Sequence, residues 1–234
     1  MGAITGGAKN IVTDGLVFYI DAANPLSYPG TGTTWTNLSG NGNNGTLTNG
    51  PTFDSNNAGS IVFDRIDDFV DLGTNLPLIE NNFTVNSWVN TNVLPTNTTA
   101  ADIQNIIGAP SIVNNADYLS IRAKRIAIWN RSTTGGGAPI NWYSSQTDLS
   151  INTWFNVVLT CDYGYYKIYL NGNLDSDIPY LGTEWNNLQS RYIGQTQNQR
   201  YFSGKISNLQ YFNKTLTPSE ILQNFNSTRA RFGV

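Results

Sequence analysis

Residues 154–172 read WFNVVLTCDYGYYKIYLNG and carry the strongest fold signal of the chain. Two apolar runs are separated by Tyr163-Gly164, and the second run ends at Asn171-Gly172. In the second run Ile168 and Leu170 alternate with amphipathic or charged residues, as in a strand that buries one face. Dipeptides that end in glycine are typical of the tight turns of hairpins. The stretch therefore predicts an antiparallel β-hairpin.

Similar short runs, separated by clusters of Gly, Asn and Pro, recur from one end of the chain to the other. The candidate strands are Leu16–Ala22, Ser60–Phe63, Phe69–Leu72, Phe83–Asn90, Ile103–Ala109, Tyr118–Arg122, Ile126–Asn130, Ile140–Ser144, Trp154–Cys161, Tyr165–Leu170, Arg191–Gly194 and Lys205–Phe212. Many short strands with turn signals between them indicate an all-β, two-sheet antiparallel jelly-roll sandwich.

One helix signal stands near the end of the chain, in Thr217-Pro-Ser-Glu220. It combines an N-cap threonine, a proline at the first helical position and a glutamate three residues after the cap. Because no linker or repeat divides the chain, we expect one jelly-roll domain over residues 15–228 with one short C-terminal helix. Residues 1–14 are predicted to form an N-terminal arm, and residues 229–234 a C-terminal tail.

The predicted strand Phe83–Asn90 has two contrasting faces. Val85 and Val89 share one face, whereas Asn86 and Trp88 share the other. Two interpretations of Trp88 are open: a second packed layer outside the sheet, or a binding groove. We favour the packed layer, because large aromatic side chains are mostly buried.

The chain is poor in charge and slightly acidic. Only 12% of its residues are charged, and the formal net charge is −3, so it lacks the basic excess of nucleic-acid-binding proteins. The basic residues Arg122 and Lys124 fit the solvated face of a strand. No apolar run approaches the ~20 residues that span a bilayer, and the N-terminus lacks the regions of a signal peptide. We expect no nucleic-acid partner, no membrane insertion and no classical export.

The residue inventory argues against catalysis. The sequence contains no histidine, which excludes Ser-His-Asp and Cys-His catalysis and His-ligated zinc. A glycosidase uses paired carboxylates, and the glutamates are Glu80, Glu184 and Glu220. Glu220 belongs to the helix cap, and no two glutamates alternate along one strand. Although aspartates are able to substitute, we predict that the protein is not an enzyme.

The densest acidic cluster contains Asp64, Asp67, Asp68 and Asp71, with Arg65 among them. Closely spaced carboxylates are ligands that calcium prefers, so these aspartates form a candidate metal site. The alternative, which we favour, is a turn between two strands in which the aspartate side chains bond the local backbone. The positive charge of Arg65 supports this alternative, and calcium is the only cofactor that the residues suggest.

Aromatic side chains near loops are candidates for stacking on sugar rings. Trp142, Tyr143, Tyr180 and Trp185 lie in or beside such loops, where burial is least expected. They form the candidate ligand-binding set, whereas most of the other aromatic side chains are expected in the core.

Several segments carry a family resemblance. In chain order they are Gly15-Leu-Val-Phe-Tyr-Ile-Asp21, Ser39-Gly-Asn-Gly-Asn-Asn-Gly45, Ile61-Val-Phe-Asp-Arg-Ile-Asp-Asp-Phe-Val70, Phe83-Thr-Val-Asn-Ser-Trp-Val89, Trp154-Phe-Asn-Val-Val-Leu-Thr160, Lys167-Ile-Tyr-Leu-Asn-Gly172 and Gly204–Ile221. Together they resemble LamG-like, concanavalin A-like jelly-roll domains. The resemblance implies a two-sheet sandwich that binds glycans or proteins, with calcium at a sheet edge in some members. Arg65 departs from it, because such sequences typically read Phe-Asp-Gly there.

Two further stretches, Ser27–Trp35 and Phe225–Val234, are similar to LamG-type proteins of tailed bacteriophages. This resemblance implies a non-catalytic virion structural protein, either a capsid decoration or a fibre or tail appendage. Such a protein would be made in the host cytoplasm and reach the virion surface by assembly. Its partners would be phage structural proteins of the capsid or tail, and a homo-oligomer is expected. The segment Gly2–Lys9 and the basic residues Arg229 and Arg231 would serve as docking arms.

The alternative function is a lectin module that recognises a host-surface glycan, with or without calcium. The two functions are compatible, because a protein on a virion surface is able to bind glycans. A glycoside hydrolase is the third hypothesis, for which the sequence shows no pair of glutamates on one strand.

Overall fold

The computed structural model describes residues 10–73, 82–97, 99, 102–108, 117–130, 141–178, 192–196 and 199–234. Within these ranges two antiparallel sheets of eight strands face each other. Sheet I contains β1 (Leu16–Asp21), β4 (Thr52–Asp54), β5 (Ser60–Asp64), β7 (Asn82–Thr91), β12 (Trp154–Asp162), β13 (Tyr165–Leu170), β14 (Asn173–Ile178) and β16 (Ser203–Phe212). Sheet II contains β2 (Thr34–Trp35), β3 (Gly45–Thr48), β6 (Phe69–Asp71), β8 (Gln104–Gly108), β9 (Asp117–Arg122), β10 (Arg125–Asn130), β11 (Asn141–Ser144) and β15 (Tyr192–Ile193).

The strands of each sheet are not in chain order. Sheet I runs β14-β13-β12-β7-β16-β5-β4, and β1 also pairs with β16. Sheet II runs β11-β10-β9-β8-β15-β6-β3-β2. The long strand β7 therefore lies between β12 and β16, with Val85 opposite Leu159 on one side and Tyr211 on the other. The all-β sandwich expected from the sequence is confirmed.

The hairpin expected from residues 154–172 is present. Tyr163 and Gly164 both have positive φ, at 44° and 89°, which matches the strand twist in two-residue hairpin turns. Asn171 and Gly172 repeat this geometry, at 49° and 77°. They reverse the chain again, so that β14 pairs with β13.

Four observed strands, β2, β3, β4 and β14, lie outside the predicted set. They are short or rich in Asn, Asp, Gly and Thr, and most of these residue types are depleted in strands. They form because a neighbouring strand offers a free edge. β14, for example, has alternating polar residues and forms the last strand of sheet I.

The core lies between the two sheets. Ile168 and Leu170 of β13 point into it, as the alternation predicts, and meet side chains such as Leu119, Ile121 and Ile126 of sheet II in one buried cluster. Each such side chain contributes about 1.5–3 kcal/mol to the free energy of unfolding when fully buried.

Helix α1 (Pro218–Thr228) begins at the predicted cap. The Thr217 hydroxyl accepts a hydrogen bond from the Glu220 amide at 3.3 Å, and the Glu220 carboxylate accepts one from the Thr217 amide at 2.8 Å. Lys214 also binds Glu220 at 2.8 Å, and this bond lowers the pKa of the carboxyl. In the described part of the chain no helix is long and apolar enough to cross a membrane.

Part of the outer face of sheet I, around Trp88, is covered by the C-terminal segment. Trp88 of β7 stacks on Phe232, with ring centroids 4.1 Å apart, and on Phe225 of α1 at 5.7 Å. Its indole N–H donates to the Thr228 hydroxyl at 2.9 Å. Trp88 therefore belongs to a second packed layer, and the groove interpretation is wrong.

This packing corrects the expectation that residues 229–234 include a docking arm. Arg229–Phe232 form a 3-10 turn in which Phe232 is buried. The Arg231 guanidinium binds both carboxylate oxygens of Asp21, at 2.9 and 3.0 Å. Asp21 is only 5% exposed, and a buried carboxylate needs a paired cation. Arg231 is thus engaged within the fold, and residues 1–9, which include the other predicted arm, lie outside the described residues.

Candidate functional site

The outer face of sheet II carries the arginine and aromatic side chains of the candidate site. On β9, Leu119 and Ile121 enter the core, so alternation turns Arg122 outward. On β11, Tyr143 packs against the core, and Trp142 therefore faces outward. We call this surface the sheet II face, and define it by Asn105, Arg122, Trp142 and Tyr192.

Arg122 and Trp142 are in direct contact. The guanidinium carbon lies 4.9 Å from the centroid of the indole ring, within cation–π range. Ala127, the outward residue of β10 between them, has a side chain short enough to leave room for this contact. Arg122 Nε is buried and has no hydrogen-bond partner among the described residues. Burial lowers the pKa of this guanidinium, which remains charged at neutral pH.

The centre of the sheet II face is polar and tightly packed. The Asn105 amide donates to the hydroxyl of Thr196, and both residues are buried. Gly108 makes this packing possible, because a Cβ there would lie 1.7 Å from the Thr196 hydroxyl and 2.3 Å from the Gln195 carbonyl oxygen. The backbone around Thr196 is thus held against β8 in a fixed position.

The other end of the sheet II face carries a second aromatic pair. The rings of Phe69 and Tyr192 meet edge to face, with centroids 5.3 Å apart. The register places Asp71 opposite Tyr192, and the exposed Thr46 opposite Asp71. Half-buried rings with carboxylate and hydroxyl neighbours provide apolar contact and hydrogen bonding in one place.

The structure separates the aromatic residues that the sequence singles out. Trp142 lies on the sheet II face, whereas Tyr143 points to the opposite side and is removed from the candidate set. Tyr180 and Trp185 lie outside the described residues. The sequence analysis missed Tyr192, whose β15 has only two residues.

Arg122 was also missed, because the sequence suggested a solvated face shared with Lys124. The strand ends at Arg122, and Ala123 and Lys124 have positive φ, at 47° and 68°, in the following turn. The two basic side chains therefore do not share a strand face. Alternation along Tyr118–Arg122 already placed Arg122 opposite the apolar residues, and this was the signal available in the sequence.

The acidic cluster lies in the turn between β5 and β6, which connects the two sheets. One carboxylate oxygen from each of Asp64, Asp67 and Asp68 lies within 4.8 Å of the others. Asp71 is not part of this group, since its carboxylate accepts from the Gly73 amide at 2.8 Å. Three converging carboxylates fit a hard cation such as calcium, so the candidate metal site is reduced to these three residues.

Local hydrogen bonds also support the turn interpretation. The Asp64 carboxylate accepts from the Ile66 amide at 2.7 Å, and the Asp68 carboxylate from the Asp64 amide at 3.1 Å. Arg65 has a φ of 67° and lies 3.9 Å from Asp102. Burial, and then the charge of Asp64, raises the pKa of Asp68 to about 6. A cation that bound here would favour the ionised form of Asp68.

The described residues contain no pair of glutamates that could serve a hydrolase. Glu220 is held by the helix cap and Lys214, and Glu80 and Glu184 lie outside the described residues. What remains on the sheet II face is a set of groups suited to binding a ligand through apolar contact and hydrogen bonds.

Solved structures with the same fold include one domain of an arabinanase and the binding domains of several toxins. Domain 4 of AbnA, a GH43 extracellular arabinanase from Geobacillus stearothermophilus solved with arabinotriose, has a TM-score of 0.66 at 19% identity, covering 89% of this chain and 97% of that one. The botulinum neurotoxin serotype D ligand binding domain, solved with N-acetylneuraminic acid, has a TM-score of 0.65 at 17% identity, covering 92% of this chain and 51% of that one. The binding domain of Paraclostridial Mosquitocidal Protein 1 has a TM-score of 0.69 at 15% identity, covering 92% and 52%.

At these identities the likeness concerns the fold, and the chain spans about half of each toxin domain. No curated protein matches the sequence significantly. The model of one family, Laminin_G_3, described as the concanavalin A-like lectin/glucanases superfamily, matches residues 63–222, more than half of the chain. The segments that resemble LamG-like domains fall largely within this match. The chain therefore belongs to the Laminin_G_3 family of the concanavalin A-like lectin/glucanases superfamily.

Proposed function

We propose that the protein is a non-catalytic carbohydrate-binding module and that its sheet II face binds the sugar. The Arg122–Trp142 contact is the observation that carries this proposal. It joins an aromatic ring to the guanidinium of a half-buried arginine on the outward side of the sheet. The guanidinium carries five N–H donors, and a sugar hydroxyl or ring oxygen would accept a hydrogen bond from those that are not buried.

The chemistry of the rest of the sheet II face agrees with a sugar ligand. Sugar rings carry apolar C–H faces and several hydroxyl groups. The rings of Trp142 and Tyr192 offer apolar contact, and Asp71 and Thr46 offer hydrogen bonds. Membership of the concanavalin A-like lectin/glucanases superfamily supports a carbohydrate ligand, as does the arabinotriose in the AbnA domain.

The test is a glycan array followed by calorimetric titration of the strongest binder. We expect Arg122→Ala to weaken binding at least tenfold, because one well-placed charged hydrogen bond contributes about 1.5–3 kcal/mol. Arg229→Ala is the matched control, since it removes the same charge from the C-terminal turn that covers sheet I. Equal effects of the two substitutions, or no sugar bound by the wild type, would exclude the sheet II face as a sugar site.

We also propose that calcium, where it binds, is held by Asp64, Asp67 and Asp68. The ion would supply positive charge at the turn that connects the two sheets. Calorimetric titration with calcium should give one site per chain that is lost in Asp67→Asn and kept in the control Asp71→Asn. Retention of the site in Asp67→Asn would overturn this assignment.

The location that we propose is the surface of a tailed-phage virion, as a capsid decoration or a fibre or tail appendage bound to phage structural proteins. The basis of this proposal is the resemblance of Ser27–Trp35 and Phe225–Val234 to LamG-type proteins of tailed bacteriophages, together with the charge-poor composition. Immunogold labelling of purified particles of the encoding virus should decorate the capsid or the tail. Particles that lack the protein would overturn the proposed location, and light scattering of the free protein would give its oligomeric state.

A further inference from the structure

A concave surface lies on the opposite side of the sandwich from the sheet II face, at the edge of sheet I. It is a groove of about 770 Å³, within the usual range of ligand sites, ~300–1,000 Å³. Strands β12, β13 and β14 form its floor, and the segment leading into α1 forms one wall. We call it the edge groove; its lining residues are Thr160, Asp162, Tyr165, Lys167, Tyr169, Asp177 and the segment Thr215–Pro218.

Strand register builds the floor of the edge groove. Thr160 of β12 lies opposite Lys167 of β13, which lies opposite Asp177 of β14. These side chains alternate with Leu159 and Ile168, which enter the core, so they line the outer side of the sheet. The floor therefore shares the rigidity of three hydrogen-bonded strands.

The wall of the edge groove is also fixed. The Thr215 hydroxyl donates to the Cys161 carbonyl oxygen, and the Leu216 amide donates to the Thr84 hydroxyl at 2.9 Å. Beyond them the capping box of Thr217 and Glu220 engages the amides at the start of α1. Because that helix end is already capped, the edge groove does not depend on the helix N-terminus for ligand binding.

The groups in the edge groove suit a polyhydroxylated ligand. Tyr165 is 54% exposed and offers an aromatic ring at the surface. Beside it, Lys167 Nζ and the Asp177 carboxylate form an ion pair at 3.2 Å, which presents both donors and acceptors. Asp162, at the end of β12 opposite Tyr165, adds an exposed carboxylate.

The charges of the edge groove indicate which ligands it would reject. Two carboxylates and one ammonium leave one net negative charge among the lining residues. Like charges brought together in an interface cost free energy, so an acidic ligand would be disfavoured. A neutral ligand, or one with amino groups, would not face this cost.

We propose that the edge groove is a second carbohydrate site, selective for neutral or amino saccharides over acidic ones. The inference rests on the proposed carbohydrate-binding function and gives the module two sites on opposite faces. A protein with two such sites binds one polysaccharide at two points or bridges two chains, and its avidity exceeds the affinity of either site.

The test compares two tyrosines of the same hairpin. Tyr165 lines the edge groove, whereas Tyr163, 64% exposed in the turn, does not. We expect Tyr165→Ala to abolish a set of neutral or amino-sugar signals on a glycan array, Tyr165→Phe to retain most of them, and Tyr163→Ala to leave them unchanged. Melting curves of the three variants should coincide with that of the wild type within a few degrees, since both side chains are largely exposed.

The same array distinguishes failure of the second site from failure of the first. If Arg122→Ala removes every sugar signal and Tyr165→Ala removes none, the edge groove is excluded and the sheet II site stands. If Tyr165→Ala removes signals that survive in Arg122→Ala, the edge groove is supported independently. Equal loss in Tyr165→Ala and Tyr163→Ala, preference for acidic sugars in the signals that depend on Tyr165, or no binding by the wild type would overturn the proposal.

Discussion

The two sheets of the sandwich present different outer faces. Over part of sheet I, the C-terminal segment covers the strands, and Trp88 is stacked between the sheet and Phe232. On sheet II, Arg122 and Trp142 contact each other and remain half-buried. Both faces follow the same strand alternation, so alternation tells only which residues face outward. Whether an outward residue serves stability or binding depends on the segment that covers it.

The largest loss of stability is expected when the packing between β7 and the C-terminal segment is removed. Trp88→Ala should lower the free energy of unfolding by about 3–5 kcal/mol, because it leaves a cavity between β7 and the C-terminal turn. Chemical denaturation measures this loss. A loss below about 1 kcal/mol would mean that the C-terminal layer contributes little, and the contrast between the two faces would not hold.

The second largest loss of stability is expected from the ion pair between Arg231 and Asp21, which holds the C-terminal segment against sheet I. Arg231→Met should cost about 2–3 kcal/mol, because it leaves the Asp21 carboxylate buried without a cation. Arg229→Met is the matched control, because Arg229 lies 5.7 Å from the Phe225 ring and its loss should cost below about 1 kcal/mol. Urea denaturation gives the free energy of unfolding of both variants. Equal losses in the two would contradict the stabilising role of Arg231.

The third effect lies in the turn between the two sheets. The folded-state pKa of Asp68, about 6, is above the ordinary aspartate value of 3.8, so the folded protein holds this proton more tightly. The contribution of Asp68 to stability is therefore fully present below pH 4 and is lost as the pH rises through about 6. A pKa difference of this size corresponds to about 3 kcal/mol, and solvent screening in the turn reduces the expected loss to about 1–2 kcal/mol.

Melting curves between pH 4 and pH 7, recorded with a chelator, test this effect. Since other carboxyls titrate in the same range, the informative quantity is the difference between the wild type and Asp68→Asn, which should change across this range. A constant difference would show that the pKa of Asp68 is not raised in the folded state.

The smallest effect on stability is expected on the sheet II face. Arg122→Ala should lower the free energy of unfolding by no more than about 1 kcal/mol, because the cation–π contact with Trp142 that it removes contributes about 0.5–1 kcal/mol on a half-buried side chain. The same variant should weaken sugar binding at least tenfold. A large loss of stability in this variant would assign Arg122 to structure and remove the contrast with Trp88.

Sequence patterns were sufficient where the signal is local. The Tyr163-Gly164 turn, the Thr217 cap and the outward position of Trp88 all depend on residues within one turn or one strand. The ion pair of Asp21 and Arg231 was not predictable in this way, because its partners are separated by 210 residues. Nothing within residues 229–234 shows that Phe232 covers the indole of Trp88 on the outer side of β7.

For the same reason, local sequence patterns predict only part of the candidate site. Trp142 was found because it lies beside a loop, but its partner Arg122 comes from a strand two positions away in sheet II. Asp71 was grouped with Asp64 from their spacing, yet the β6 strand carries it away from the acidic turn. Residues that are close in sequence are not necessarily close in space when a strand extends between them.

The position of β16 has a consequence for how the protein is made. This strand lies between β5 and β7 and also pairs with β1, with Leu16 opposite Phe212, yet it is the last of the described strands to leave the ribosome. Until it emerges, the nascent chain carries strand edges that have no neighbour, and such edges invite pairing with other chains. A premature stop codon between β15 and β16 would thus remove the middle of sheet I and leave the edges of β5 and β7 open to aggregation.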